Sequence, residues 1–170
     1  MSVLKLTGLA LIALCTTGIG MEMAFSLSQR VRALELAQAV LESIAGELSY
    51  HLAPPEQIIK SLAARKTLCK AEYLTACQAF CGKNIPFPLA WNQAVRKSGG
   101  ALSARDREIL TAVSETLGTC SEKEALADLE RARLLLQEEL KEAREYVRVH
   151  GKLYRTLGML SGVFLVILWL

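Results

Sequence analysis

The side chains with chemistry to offer are five cysteines, two histidines and a scatter of carboxylates. A zinc site or a thiolate nucleophile needs cysteines at ligand spacing with a histidine or a second cysteine pair nearby. Cys15, Cys69, Cys77, Cys81 and Cys120 form no C-x-x-C motif, and neither His51 nor His150 neighbours them. Cys77 and Cys81 stand four apart and share one helix face, which predicts small buried thiols in a reducing compartment. Asp106 and Glu108 are close in sequence but fall on different faces of a helix, so they make no acid–base pair; Glu42 and Glu47 read as solvated. Both histidines lie beside expected helix ends, as surface or capping groups. There is no G-x-x-x-x-G-K-S/T phosphate loop, no H-E-x-x-H and no G-x-S-x-G. This pattern predicts no enzyme, no metal, no cofactor and no small-molecule substrate.

The elements that carry these residues follow from composition and period. A chain of 170 residues is one domain by length, and 52% apolar with only 6% aromatic residues favours helices rich in Leu and Ala. A net charge of +3 is too small for the dense Lys/Arg footprint that nucleic acid demands. The charge is unevenly spread: Lys141, Arg144, Arg148, Lys152 and Arg155 gather shortly before an apolar tail.

Steps of three and four residues predict a helix through Leu34, Ala37, Leu41, Ile44 and Leu48, ending before Pro54-Pro55. A short helix follows with Ile58, Ile59 and Leu62 inward. The next carries Tyr73, Leu74, Cys77, Phe80 and Cys81 and stops at Gly82 as a glycine C-cap. After the turn "NIPFP", Trp91, Ala94 and Val95 mark a helix closed by Gly99-Gly100. Ser103 with Asp106 resembles a capping arrangement for a helix through Ile109, Leu110, Val113 and Leu117 that ends at Gly118. Ser121 with Glu124 reads as a full capping box opening the longest helix, whose seam is Leu129, Ala132, Leu136, Ala143 and Val147, with Gly151 as a bend. The expected fold is all-α, an antiparallel six-helix bundle over 26–155 flanked by N- and C-terminal transmembrane helices.

Those flanks are 1–25 and 156–170. Fifteen uncharged residues follow Arg155, about 22 Å of helix against a hydrocarbon core of roughly 30 Å, a mismatch that snorkelling by Lys152 and Arg155 can absorb. Nine of the last fourteen residues are Leu, Ile, Val or Phe, worth on the order of 3 to 5 kcal/mol of insertion. Residues 6–21 carry no charge, and the helix after them continues without a loop, which favours an uncleaved span. The competing reading is an exported helical binding module whose signal is cleaved near Gly18-Ile19-Gly20. Seven Lys/Arg on the inner flanks, Arg30 and Arg32 among them, against Lys5 outside place the bundle in the cytoplasm. The membrane-proximal basic face, Arg30, Arg32, Arg144, Arg148, Lys152 and Arg155, is expected to meet lipid headgroups.

The order of features resembles the stage III sporulation protein AB family. The matching stretches are "LKLTGLALI", "LESIAGELSYHLAPPEQIIKSLA", "AWNQAV", "LSARDREILTAVSETLGTCS" and "YRTLGMLSGVFLVILWL". Cys69, Cys77 and Cys81 depart from the family pattern, as does Thr119-Cys120. The resemblance implies a membrane component of the channel built between mother cell and forespore. It also implies a helical domain similar to the cytoplasmic part of the inner-membrane platform protein of type II secretion and type IV pilus machines. The implied partners are the stage III sporulation protein AA ATPase and other stage III sporulation channel proteins, with no nucleic acid. The segment holding Glu42, Glu47, Tyr50 and Pro54 becomes the candidate partner-binding site.

Overall fold

The computed structural model describes the backbone of residues 2–51, 54–83, 85–117 and 121–169. Side chains are described at 18, 22, 25–50, 54–83, 85–117, 121–150, 156 and 160. Among the described residues there are six helices and no strand: α1 (Ser2–His51), α2 (Pro55–Ala63), α3 (Glu72–Cys81), α4 (Phe87–Ser98), α5 (Ala104–Thr116) and α6 (Glu122–Trp169). The chain is an all-α helical bundle. It divides into two compact units, Arg30–Lys141 and the pair Met1–Gln29 with Glu142–Leu170.

In the Arg30–Lys141 unit the inward positions follow the helical period. Leu34, Ala37, Leu41 and Ile44 of α1, Ile58, Ile59 and Leu62 of α2, and Leu129, Ala132 and Leu136 of α6 are all buried. Leu48 is only half-buried, one turn before the helix ends. Pro54 lies just before α2 and Pro55 occupies its first turn, where a missing N–H costs nothing. Pro86 and Pro88 do the same for α4.

Trp91 is the hub of α3, α4 and α5. It is fully buried, its indole N–H donates to the Leu110 carbonyl at 2.7 Å, and its ring meets Tyr73 edge-on at 5.8 Å and Phe87 at 6.0 Å. A buried indole needs such an acceptor, because a lone buried donor would cost about 1–3 kcal/mol.

Several local expectations change. Gly82 does follow α3, but with φ of −63° it stays right-handed, so the left-handed glycine cap is not used there. That conformation belongs to Gly100, with φ of 56°, in the turn after α4. Phe80 and Cys81 are half-buried where an inward face was expected, because they lie in the last turn of α3. Ser103 and Asp106 form the full capping box, whereas at Ser121 both the N–H and the hydroxyl donate to the Glu124 carboxylate at 3.1 and 3.0 Å. There the hydroxyl donates to the Glu124 carboxylate rather than accepting from the Glu124 amide. α6 runs through position 151 without interruption, and Gly118 lies outside the described residues.

Among the described residues no helix is long and apolar enough to cross a membrane. The two segments expected to do so, 1–25 and 156–170, lie almost wholly among residues whose side chains are outside the description. In the second unit, Phe25, Val149 and Leu160 are exposed, and Tyr146 stacks on His150 at 4.1 Å between ring centres.

Candidate functional site

The strongest polar constellation begins with the start of α5. Asp106, three residues after the N-cap Ser103, accepts from the Ser103 N–H at 2.8 Å, while the Ser103 hydroxyl accepts from the Asp106 N–H at 3.2 Å. The same carboxylate, fully buried, is gripped by Arg30 of α1: Nε reaches Oδ2 at 3.1 Å and Nη2 reaches Oδ1 at 2.9 Å. Arg30 Nη2 also donates to Glu139 of α6 at 2.8 Å. One guanidinium therefore ties three helices, a task suited to its planar, multi-donor fork.

Burial pushes the Asp106 carboxyl upward, but the Arg30 hydrogen bonds, the two Ser103 bonds and the Arg30 charge outweigh it and hold the group below the usual carboxylate range. The Asp106 hydrogen bond, partly opposed by desolvation, raises Arg30 above its ordinary value. Both shifts keep the pair charged at neutral pH.

Arg30, expected on a basic face toward lipid, pairs with two carboxylates, with 30% of the side chain exposed. Arg32 and Arg144 are exposed. Arg148 pairs with Glu145 at 2.6 Å on the same helix face. Lys152 and Arg155 lie outside the described side chains.

The candidate partner-binding residues lie at the end of α1 and just beyond it. Tyr50 is 86% exposed, Glu42 two turns before it is exposed, and Pro54 is exposed at the start of α2. Glu47 is held in an ion pair with Arg65, which follows α2, so the α1 end is tied down on one side. Gly46, one turn before Tyr50, has open space where a Cβ would stand. The result is a firm helix end that presents an aromatic ring and a carboxylate to solvent.

The reactive groups do not converge. Cys77 is buried, as expected, but Cys81 on the same face of α3 is only half-buried and Cys69 is exposed. Burial pushes the Cys77 thiol far up, reinforced by Cys81 and by Glu56; burial raises Cys81 too. A thiol kept protonated is a poor nucleophile. Cys15 and Cys120 lie outside the described side chains. His150 is correctly placed neither at a helix end nor as a cap, since α6 continues to Trp169; it is half-buried in mid-helix. His51 is the last residue of α1, its side chain outside the description. Asp106 and Glu108 do diverge, one fully buried and the other 72% exposed. Among the described residues no group of three or more His, Cys, Asp or Glu side chains could hold a metal ion.

The Arg30, Asp106 and Glu139 cluster escapes a reading of local pattern. Its members are 76 and 109 residues apart in the chain, and the only local trace is an aspartate three residues after a capping serine.

Comparison with known proteins agrees with this architecture. A solved structure of stage III sporulation protein AB (SpoIIIAB) has a similar fold, with a TM-score of 0.57 at 24% identity over 70% of this chain and 96% of that one. The chain is 28% identical over 171 residues to stage III sporulation protein AB of Bacillus subtilis (strain 168), covering 97% of this chain and 98% of the relative. The family model for stage III sporulation protein AB matches residues 5–170. With a match of that extent, the chain belongs to the stage III sporulation protein AB family.

Proposed function

We propose that the chain is a non-enzymatic platform component of the channel between mother cell and forespore. Spans at 1–25 and 156–170 hold it in the mother-cell membrane, and the helical bundle, on the cytoplasmic side, docks the stage III sporulation protein AA ATPase. The observation that supports this reading is the end of α1. Tyr50 is 86% exposed on a helix whose opposite face is packed in the core, and the Glu47–Arg65 pair fixes that end. Exposed aromatic anchors on a pre-ordered element are the common energetic centres of protein interfaces.

The test is capture of the purified ATPase by the full-length chain in mild detergent. Tyr50→Ala and Glu42→Arg each weaken capture by about tenfold or more, while Tyr50→Phe retains most of it. Equal capture by all variants removes the docking assignment. Extraction of the full-length chain from membranes by alkaline carbonate removes the two spans.

A further inference from the structure

A second surface, sharing no residue with the end of α1, lies where α4 hands over to α5. A cleft of about 270 Å³ is lined by Arg96, Ala104, Arg107, Glu108 and Thr111. Arg107 forms its fixed wall: Nη2 donates to the Gly100 carbonyl at 3.0 Å and Nη1 to the Arg96 carbonyl at 3.5 Å. Gly99 packs so close beneath that an added Cβ would stand 2.8 Å from the Arg107 Nε, and that buried nitrogen has no acceptor. Among the described residues the guanidinium is thus held by backbone carbonyls.

Among the described residues the arginines divide into paired and unpaired ones. Arg30, Arg65 and Arg133 each have a carboxylate within ion-pair distance. Among the described residues, Arg107 bonds to neutral carbonyls, and Arg96 is exposed across the cleft with no carboxylate within ion-pair distance. Lys97, beside Arg96, sits over the Phe80 ring at 5.8 Å rather than against an acid. The acid on the cleft wall, Glu108, is shared with Arg105 at 3.9 Å.

We propose that the cleft between Arg96 and Arg107 receives a carboxylate side chain from an acidic segment of a partner protein. Arg96 supplies a mobile two-pronged contact, and Arg107 supplies a charge already set in place. Two features favour a discrete carboxylate over other anions. The site is concave, where a lipid surface is flat and calls for clusters of about four to eight Lys/Arg. The last turn of α4 carries Arg96 and Lys97 together, which extends the positive surface along a bound segment.

The test is a titration of the full-length chain in mild detergent with a fluorescein-labelled hexaglutamate peptide. Saturable binding is expected. Arg96→Glu weakens it by about tenfold or more and Arg96→Lys by only a few-fold, because the ammonium keeps the charge but not the fork. Thr111→Trp fills the cleft without altering charge and abolishes binding, while Arg131→Glu, an exposed cation on α6, leaves it unchanged. Each variant is first matched to wild type by its thermal unfolding curve. The proposal is overturned by absence of saturable binding, by equal loss in Arg131→Glu, or by unchanged binding in Thr111→Trp. Competition by inorganic phosphate at equal concentration, or preference for phosphatidylglycerol vesicles over the peptide, reassigns the cleft and equally overturns it. Loss of peptide binding here with ATPase capture intact separates this surface from the one at Tyr50.

Discussion

Arg30 and Asp106, 76 residues apart in sequence, meet through two hydrogen bonds of 2.9 and 3.1 Å, and the carboxylate partner is fully buried. Removing the arginine strands a charge where water cannot reach it. Arg30→Ala is expected to lower unfolding stability by about 2–4 kcal/mol, read from urea unfolding followed by circular dichroism. Arg30→Lys recovers part of this, since an ammonium cannot serve both Asp106 oxygens and Glu139 in one plane. Glu139→Gln costs less, about 1 kcal/mol or below, because its side chain is partly exposed.

The same carboxylate makes stability depend on acid. Asp106 titrates lower in the folded chain than in the unfolded one, so the unfolded state takes up protons first as pH falls. Its contribution is complete above the ordinary carboxylate pKa of about 3.9 and drains away below it, until the folded-state group is itself protonated. Urea midpoints measured from pH 6 downward should therefore fall steeply below about pH 4 in wild type, and less steeply in Asp106→Asn. Parallel slopes in the two proteins would remove Asp106 from the account.

Tyr73 and Trp91 touch in the core yet respond differently to truncation. The Tyr73 hydroxyl is buried with no hydrogen-bond partner, so Tyr73→Phe should be neutral or stabilising by up to about 1 kcal/mol. Trp91→Phe loses the bond to the Leu110 carbonyl and leaves a void, at about 1–3 kcal/mol. Thermal unfolding of the two variants side by side gives the comparison.

The turn after α4 requires its two glycines for separate reasons. An alanine at Gly99 would place Cβ 2.6 Å from the Val95 carbonyl oxygen, and one at Gly100 would force a side chain into left-handed backbone. Gly99→Ala is expected to cost about 1–3 kcal/mol and Gly100→Ala about 1 kcal/mol, measured by urea unfolding.

Among the thiols on the described residues, exposure sets reactivity. Iodoacetamide at pH 8 followed by peptide mass mapping should modify Cys69 early and Cys77 last, with Cys81 between them. Early modification of Cys77 would mean that α3 opens far more readily than its packing suggests.

What could be read from sequence divides along the range of the interaction. Leu34, Ala37, Leu41 and Ile44 announce their buried face because a helix repeats its environment every turn, and Ser103 announces α5 because a cap acts within three residues. Tertiary pairing leaves no such trace. Arg30 looks like one more cation on a basic flank until Asp106 and Glu139 arrive from other helices, and Cys69 looks like its neighbours until the turn between α2 and α3 leaves it outside. At Ser121 the carboxylate reaches back as the spacing predicts, but spacing fixes only which groups can meet, not which way the hydroxyl's hydrogen bond runs. Arg96 and Arg107 carry no recognisable motif, since their shared cleft depends on a glycine turn folding one helix end against the next.

Asp106 Oδ2 accepts both the Ser103 amide that begins α5 and the Arg30 Nε that arrives from α1. A local signal and a distant one converge on a single oxygen, so helix initiation and tertiary docking strengthen each other rather than adding independently. An amide side chain could imitate the cap but would forfeit the ion pair, and a longer acid would displace both. Loss of either partner accordingly weakens both the first turn of α5 and its hold on α1.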